Sequence, residues 1–207
     1  MPITRGFVGS RRPERPGRIP PGQYDTGSSW PTLTAEATPS TSLEQWAEQW
    51  RMRVDGLVEE PQSWSWQEIH ALPGSTYAGD IHCVTTWSKL DMTFTGVSVD
   101  TLLAAARPLP EARFVLAHST TGYTTNLPLA DVTGRKAWVV WEVDGDPLPR
   151  GHGGPARLLV PHLYFWKSAK WITRIELLDH DRPGFWEQNG YHDRGDPWLE
   201  QRYQGDP

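Results

Sequence analysis

Cysteine is nearly absent from this sequence, and its scarcity removes several kinds of site. Among 207 residues there is one cysteine, Cys83. A single thiol excludes an intramolecular disulfide framework. It also excludes any site that draws two or more thiolates from this chain, such as a four-cysteine zinc site or an iron–sulfur cluster. Covalent c-type haem is excluded because no CxxCH motif occurs.

Long apolar runs and a strong excess of basic residues are also lacking. No apolar stretch approaches the ~18 residues of a transmembrane helix, so we predict no membrane span. The formal net charge is −5, which argues against nucleic acid as a partner. Arg11 and Arg12 resemble a twin-arginine export signal, but residues 13–17 are proline, glutamate, arginine and glycine where an apolar segment is required. We therefore expect a cytoplasmic protein.

The rest of the composition is that of a folded domain with an irregular arm. Residues 1–45 are rich in proline, glycine, serine, threonine and arginine, which bury little apolar surface. We predict that they form an irregular N-terminal arm and that residues 46–207 form one domain. The chain is 37% hydrophobic and contains 12 tryptophans. Because tryptophan is usually buried, most of these rings are expected in the core.

Short segments that differ in the spacing of their apolar residues predict a mixed sheet with short helices. Runs rich in β-branched and aromatic residues predict strands at residues 50–58, 78–86, 112–117, 136–143, 157–160 and 170–178. Capping serines and nearby prolines predict short helices at 65–71 after Ser63 or Ser65, at 99–106 after Ser98, and one turn at 128–132. Without a regular βαβ series, this pattern indicates the α+β class, a mixed β-sheet domain with short helices.

Cys83 lies near the end of the strand predicted at 78–86, and a loop is expected from Trp87. The end of a strand is a rigid place from which to aim a side chain at a site. A thiolate is a ligand for soft metals and a nucleophile when a neighbour lowers its pKa. His82 is adjacent, but neighbours on a strand point to opposite faces, so His82 is a poor proton acceptor for this thiol. A lone cysteine is also commonly a small buried apolar residue.

Two later stretches have the character of a phosphate-binding surface. The loop HGGPAR at 152–157 has glycines that let backbone N–H groups approach an anion, and Arg157 offers a forked donor suited to phosphate. The stretch FWKSAKW at 165–171 adds two lysines and a serine. Each alone is compatible with a surface turn, and neither a P-loop nor a GxGxxG motif occurs. Together with Cys83, they predict a soft-metal thiolate site beside a phosphate-bearing ligand.

Six stretches resemble the sulfite-oxidase-like family of molybdopterin-binding oxidoreductases. The likeness is greater to its single-domain bacterial branch, which includes the catalytic subunit of periplasmic methionine sulfoxide reductase. The stretches cover roughly residues 50–180 in family order: RVDGLVEEP at 53–61, HCVTTWSK at 82–89, FTGVSVDTLL at 94–103, TTGYTT at 120–125, HGGPARLLVP at 152–161 and WKSAKWITRIEL at 166–177. The resemblance implies the sulfite oxidase molybdopterin-binding fold.

The resemblance also implies a cofactor and the residues that hold it. The cofactor is molybdenum–molybdopterin, whose metal is held by the pterin dithiolene and by one protein cysteine, which matches Cys83. The HGGPAR loop and the Ser-x-Lys segment are implied to hold the pterin and its phosphate, and a hydroxyl in the turn after the middle strand is a further contact. The residues implied are Ser119 or Thr120, His152, Arg157, Ser168, Ala169 and Lys170.

The activity implied is oxygen-atom transfer on a small S- or N-oxide or sulfite-like substrate, with a separate electron-transfer protein as redox partner. Cys83, His82 and Tyr123 are the predicted catalytic residues, and Lys89 is a further candidate contact. The chain departs from methionine sulfoxide reductase at His152, where that enzyme has asparagine. It departs from the sulfite oxidases after the cysteine, where they carry an arginine-rich segment. These departures leave the substrate open.

Three other interpretations of the same residues stay open at this point. In the first, Cys83 is a nucleophile with His118 or His152 as its base. In the second, the tryptophans form the platform of a non-catalytic ligand-binding module. In the third, four histidines bind zinc, although their spacings fit no zinc motif: His152, His162, His180 and His192.

Overall fold

The structure, a computed structural model, describes residues 17–33, 37–40 and 43–207; Arg11 and Arg12 lie outside them. Within these residues there is no helix long and apolar enough to cross a membrane. The strands are β1 (Tyr24–Asp25), β2 (Arg51–Gly56), β3 (Gln62–Ser65), β4 (Ser75–His82), β5 (Trp87–Ser98), β6 (Phe114–Ser119), β7 (Thr124–Pro128), β8 (Trp138–Val143), β9 (Asp146–Pro147), β10 (Arg157–Leu159) and β11 (Ile172–Leu178). The α-helices are α1 (Leu43–Gln49), α2 (Trp66–His70), α3 (Val99–Ala106), α4 (Leu129–Val132) and α5 (Phe185–Gln188).

The strands form two sheets. One has the order β3-β2-β11-β6-β7, in which β2 and β11 are parallel and the other neighbours antiparallel. The other has the order β1-β5-β8-β10, with β4 paired to β5 and β9 to β8. In this second sheet only the described pair β1 and β5 is parallel. Two mixed-direction sheets with short helices confirm the predicted α+β class.

The central strand β8 separates two apolar cores, because its side chains alternate between the two faces of the sheet. Val139 and Trp141 belong to the larger core, which joins residues of both sheets. Trp138 and Val140 belong to the smaller core on the opposite face, which also contains Cys83. Eight of the 12 tryptophans are buried, as expected from the composition. The thiol therefore lies at the edge of the smaller core.

Two predicted helix caps are confirmed. The Ser65 hydroxyl accepts a hydrogen bond from the Glu68 N–H at 3.3 Å, and the Glu68 carboxylate accepts one from the Ser65 N–H at 2.7 Å. This reciprocal pair is a capping box at the start of α2. Ser98 caps α3 through the Asp100 N–H. The other candidate cap, Ser63, lies within β3.

Replacing Ser65 with alanine is expected to lower the free energy of unfolding by about 1 kcal/mol. The reason is that the first turn of α2 loses the acceptor for one backbone N–H. Urea denaturation measures the change. Ser63→Ala is the matched control, because Ser63 is exposed and caps nothing, and it should change stability by less than about 0.5 kcal/mol. Equal losses in the two variants would contradict the assignment of the cap.

The region around Cys83 differs from the sequence-based prediction. The strand predicted at 78–86 ends at His82, so Cys83 lies in a turn, and the loop predicted from Trp87 is the start of β5. The reason is long-range pairing: Ser88 pairs with His82 on one side and with Asp25 on the other. Four further strands, β1, β3, β7 and β9, were not predicted.

The predicted N-terminal arm is partly incorporated into the domain. Strand β1 pairs in parallel with the start of β5, and Trp30 packs against the core that contains Cys83. The predicted boundary between residues 45 and 46 falls within α1. The described part of the arm is thus close to the candidate site.

Candidate functional site

Cys83 lies in the turn that joins β4 to β5, residues 83–86. The Cys83 N–H donates to the Trp87 carbonyl at 2.8 Å, and the Thr86 N–H donates to the Cys83 carbonyl at 3.1 Å. Thr86 has a φ of 74°, in the left-handed region that costs a non-glycine residue about 1–3 kcal/mol. Contacts from elsewhere in the protein must hold this turn, and the turn sets the direction of the thiol.

The thiol is a poor free nucleophile but a suitable metal ligand. Cys83 is buried, and burial raises the pKa of its thiol; the Thr85 hydroxyl, whose Oγ1 lies 3.2 Å from Sγ, opposes this in part, as does the charge of Arg157. A raised pKa leaves little thiolate at neutral pH. A bound metal ion, by contrast, deprotonates a thiol that coordinates it.

Cys83 opens into a cavity of about 290 Å³. The turn after β4, the HGGPAR loop, the KSAKW segment, the N-terminal arm and the C-terminal stretch all contribute to its walls. The lining residues are Pro31, Leu33, Cys83, Val84, Thr85, Trp87, Tyr123, His152, Arg157, Phe165, Trp166, Ser168, Ala169, Lys170, Trp186 and Tyr191. The structure therefore brings together seven predicted site residues: Cys83, Tyr123, His152, Arg157, Ser168, Ala169 and Lys170.

The HGGPAR loop packs closely against the KSAKW segment because it contains glycine. Gly153 has a φ of 105°, which glycine adopts without the penalty of a side chain. A Cβ at this position would lie 3.0 Å from the Lys170 Cα and 3.1 Å from the Arg157 Cβ. The glycine thus allows the loop to bring both cations to one side of the cavity.

Arg157 is a buried cation that forms no ion pair with any described residue. Three of the five guanidinium N–H groups donate to the carbonyls of Leu158, His152 and Ser168, at 3.3, 2.7 and 2.6 Å. Two therefore have no partner among the described residues. The guanidinium carbon also lies 3.9 Å from the centre of the Phe165 ring. Burial lowers the pKa of Arg157 to about 9, so it is charged at neutral pH and suited to an anion.

The N-terminal arm covers the other side of this loop. The Trp30 ring stacks on the His152 imidazole, with centroids 3.6 Å apart, and Thr32 Oγ1 lies 3.2 Å from His152 Nε2. Lys170 Nζ donates to the Leu33 carbonyl at 3.0 Å. Burial, followed by the positive charges around it, lowers the pKa of His152 to about 4. His152 is therefore neutral at physiological pH.

Lys167 does not line the cavity, but it helps to hold a residue that does. Its ammonium lies 2.6 Å from Glu187 Oε1, and both side chains are completely buried. The same carboxylate oxygen accepts hydrogen bonds from Trp166 Nε1 at 2.9 Å and from Thr125 Oγ1 at 3.1 Å. Because Trp166 lines the cavity, this buried ion pair fixes one of its rings.

Three predicted site residues do not line the cavity. His82 is buried behind the turn, with Nδ1 2.8 Å from Ser88 Oγ, and burial lowers its pKa to about 4. The Ser119 hydroxyl is hydrogen-bonded within its own turn. The Thr120 N–H donates to the Trp171 carbonyl at 3.0 Å. Their predicted contacts with substrate or cofactor stay predictions. Lys89, also outside the lining, donates to a carbonyl of the arm.

Two aromatic residues at the cavity were not identified from the sequence, Trp186 and Tyr191. Their ring centroids are 4.8 Å apart, and Tyr191 also packs edge-on against Trp166 at 5.3 Å. Tyr123 completes this group, because its hydroxyl donates to the Trp166 carbonyl at 2.7 Å. The sequence signal was only the concentration of aromatic residues after residue 181, which has no regular period.

The geometry does not favour the nucleophile or zinc interpretations. His118 Nε2 lies 2.9 Å from a Glu176 carboxylate oxygen, and His118 does not line the cavity. His152 lines it but is stacked on Trp30. Across the described part of the chain, there is no group of three or more histidine, cysteine or acidic residues placed to bind a metal.

The site has the chemistry that a molybdopterin requires. One cavity is lined by the only thiol of the chain and by Arg157, a buried arginine with two guanidinium N–H groups that have no partner among the described residues. Trp87 also lines this cavity, and its buried indole N–H has no hydrogen-bond partner among the described residues. A thiophilic metal joined to an anionic organic group fits this set of donors. The site is therefore suited to a cofactor that joins a metal to an anionic organic group.

Comparison with known families agrees with this conclusion. The profile of the oxidoreductase molybdopterin binding domain matches residues 37–186. The chain belongs to this family and is a molybdopterin-dependent oxidoreductase. The predicted family, enzyme class and cofactor are thus confirmed.

Individual relatives extend the comparison. The chain is 41% identical over 200 residues to an uncharacterized oxidoreductase, YuiH, of Bacillus subtilis, covering 97% of this chain and 99% of that protein. It is 28% identical over 157 residues to the protein-methionine-sulfoxide reductase catalytic subunit MsrP of Gluconobacter oxydans, covering 67% of this chain and 50% of that protein. The sulfane dehydrogenase SoxCD of Paracoccus pantotrophus has a similar fold, with a TM-score of 0.61 at 22% identity, covering 70% of this chain and 41% of that one. This fold likeness confirms the sulfite oxidase-type fold.

Proposed function

We propose that this enzyme transfers an oxygen atom from a small neutral S- or N-oxide, or to the corresponding sulfide or amine, at a molybdenum held by Cys83. The observation that carries the proposal is the placement of the only thiol in the same cavity as a buried arginine that forms no ion pair with a described residue. Molybdenum held by a pterin dithiolene supplies the two-electron oxygen-atom chemistry. The protein residues bind and orient the two reactants.

In this proposal the cavity has a cationic side, which takes the cofactor, and an aromatic side, which takes the substrate. On the cationic side, Arg157 and Lys170 are the groups suited to the pterin phosphate, with Ser168, Ala169 and neutral His152 beside them. In this proposal the Cys83 thiolate is the protein ligand of the metal. These assignments use the donors already gathered around the HGGPAR loop.

The aromatic side favours a neutral substrate. Tyr191 packs against Trp166 and Trp186, and the Tyr123 hydroxyl donates to the Trp166 carbonyl. Among the described lining residues, Arg157 and Lys170 are the only lysine or arginine side chains, and in this proposal both hold the cofactor phosphate. An anion such as sulfite would therefore lose its hydration shell without gaining a charged partner. A sulfoxide or N-oxide needs only a donor for its oxygen, and the Tyr191 hydroxyl has no hydrogen-bond partner among the described residues.

The redox partner in this proposal is a separate electron-transfer protein. Oxygen-atom transfer moves two electrons, and the family resemblance of this chain is to enzymes that exchange them with another protein. The name of the Gluconobacter relative, a catalytic subunit, supports such an arrangement. A cytoplasmic location stays a prediction from the sequence.

The test is metal content and substrate preference of protein made in a host that builds molybdopterin. We expect about one molybdenum per chain by mass spectrometry. With a reduced viologen dye as electron donor, the loaded protein should reduce dimethyl sulfoxide, methionine sulfoxide or trimethylamine N-oxide. With ferricyanide as acceptor, its kcat/KM for sulfite should be lower than for the best of these by about 100-fold or more.

Two results would contradict the proposal. A preference for sulfite would overturn the neutral-substrate assignment. Protein without molybdenum, from a host shown to load a known molybdoenzyme, would remove the cofactor role of this cavity. A cysteine-free variant measured in parallel, described in the Discussion, reports the background of both assays.

A further inference from the structure

The turn that carries Cys83 has a hydrogen bond to each of its four backbone carbonyls. The Cys83 carbonyl accepts from Gln23 Nε2 at 3.2 Å, in addition to the Thr86 N–H within the turn. The Val84 carbonyl accepts from Arg202 Nη1. The Thr85 carbonyl accepts from the hydroxyl of Thr86 at 2.6 Å. The turn is thus bonded at every carbonyl although Thr86 lies at positive φ.

The donors from outside the turn come from the N-terminal arm and from the C-terminal stretch. Gln23 precedes β1, and the Tyr24 N–H that follows it donates to the Thr86 carbonyl at 3.0 Å. Arg202 lies in the C-terminal stretch, with its guanidinium carbon 5.1 Å from the centre of the Tyr164 ring. Both Gln23 and Arg202 lie outside the region matched by the family profile, residues 37–186. The described part of the N-terminal arm and the C-terminal stretch therefore meet at the turn of the metal-ligand candidate.

Gln23 also connects this turn to His82. The Ser88 hydroxyl donates to Gln23 Oε1 at 2.7 Å, and Ser88 Oγ lies 2.8 Å from His82 Nδ1. Because the single hydroxyl proton of Ser88 goes to Gln23, His82 Nδ1 must carry the proton in the second contact. The chain of bonds fixes the Gln23 amide so that its nitrogen points to the Cys83 carbonyl.

We propose that Gln23 and Arg202 are positioning residues that hold the strained turn and thereby fix the Cys83 thiol in the cavity. Neither side chain is placed to coordinate the metal; each acts through a backbone carbonyl of the turn. The hydrogen bonds alone support the statement that these two residues hold the turn. The statement that they thereby place a metal ligand rests on the proposed function. Support from around a ligand commonly decides how well that ligand binds.

The single cysteine gives a direct test, because any alkylation of the full chain reports on Cys83. Gln23→Leu and Arg202→Met remove the two donors and keep most of the side-chain volume. In cofactor-free protein at a fixed pH, each should react with iodoacetamide about three- to tenfold faster than the original chain, since each loses one hydrogen bond that keeps the turn closed. The product is measured by intact-protein mass spectrometry over time.

The controls separate positioning from general loss of stability. Arg194→Met removes another arginine of the C-terminal stretch, which pairs with Asp131 and does not contact the turn; its alkylation rate should be unchanged. Arg202→Lys keeps a donor and should restore most of the slow rate. Urea midpoints are measured for every variant. The proposal would be overturned if Gln23→Leu and Arg202→Met were alkylated at the original rate. It would also be overturned if Arg194→Met, when destabilised to the same extent, were alkylated just as fast as they are.

Molybdenum-loaded protein provides a second readout. We expect Gln23→Leu and Arg202→Met to lose molybdenum several-fold faster on dialysis and to change the electron paramagnetic resonance spectrum of the metal, because the ligand is held less well. Identical retention and spectra in loaded variants would overturn the positioning role while leaving the proposed function intact. If the original chain binds no molybdenum, the proposed function fails, and the ligand-positioning role fails with it whatever the alkylation rates show.

Discussion

Cys83→Ser is expected to abolish turnover while leaving a folded protein. Serine has nearly the size of cysteine, so the buried side chain is replaced with a small change in packing. Its hydroxyl is a hard donor that stays protonated near neutral pH, whereas a soft metal selects a thiolate. Replacing a residue that only hydrogen-bonds to a metal ligand typically lowers metal affinity or activity by about 10–100-fold. The loss of the ligand itself should therefore lower kcat/KM by more than about 100-fold. The assay is sulfoxide reduction per chain, with molybdenum measured on the same sample.

Thr85→Ala is the matched control for this prediction. It removes the hydroxyl 3.2 Å from the thiol but leaves the ligand, so the variant should retain its molybdenum and most of its activity. Both variants should unfold in urea within about 1 kcal/mol of the original chain. Full activity in Cys83→Ser would remove the cysteine from the mechanism. Activity in cofactor-free protein that is lost on alkylation would instead support the nucleophile interpretation.

Lys167→Met is expected to lower the free energy of unfolding by about 3–5 kcal/mol, which is the usual cost of leaving one charge of a buried ion pair without its partner. The Lys167 ammonium contacts Glu187 at 2.6 Å, with both side chains completely buried. It also donates to the Asn126 carbonyl at 2.8 Å. Methionine keeps the length of the side chain and removes the charge. Urea denaturation followed by tryptophan fluorescence measures the loss.

The control for Lys167→Met is Lys136→Met. Lys136 donates to a backbone carbonyl on the exposed surface, so its replacement should cost less than about 0.5 kcal/mol. The double variant Lys167→Met with Glu187→Leu removes both charges and should recover much of the lost stability. A loss below about 1 kcal/mol in Lys167→Met, or no recovery in the double variant, would show that an unpaired buried charge is not the cause of the expected loss.

The candidate site was predictable where its chemistry lies in short stretches. The HGGPAR loop and the KSAKW segment each place cations and small residues within a few positions, and the structure joins them through Gly153. The lone cysteine was equally visible. The role of Lys167 was not, because its partner Glu187 is 20 residues away and the sequence does not show which lysine of the segment is buried.

The turn at Cys83 shows why the surroundings of a site are harder to predict. Residues 83–86 were expected to continue a strand on their local propensity. They form a turn with Thr86 at a φ of 74°. The reason is that β4 and β5 pair directly across it and that Gln23 and Arg202 donate hydrogen bonds to it. Tyr191 and Trp186 likewise reach the cavity only through the return of the C-terminal stretch.

By itself, the sequence determined the α+β class, the helix cap at Ser98, the molybdopterin-binding family and a core set of cavity residues around Cys83, Arg157 and Lys170. The class and the cap follow from local propensity, the cavity residues from residue types at short spacing, and the family from the resemblance of six short stretches to known sequences. Only the tertiary structure decided that His82, Ser119 and Thr120 lie outside the cavity lining. It also decided that the described part of the N-terminal arm and the C-terminal stretch line the cavity. Such contacts depend on how the two sheets and the termini pack, and residues far apart in sequence carry no local signal of that packing.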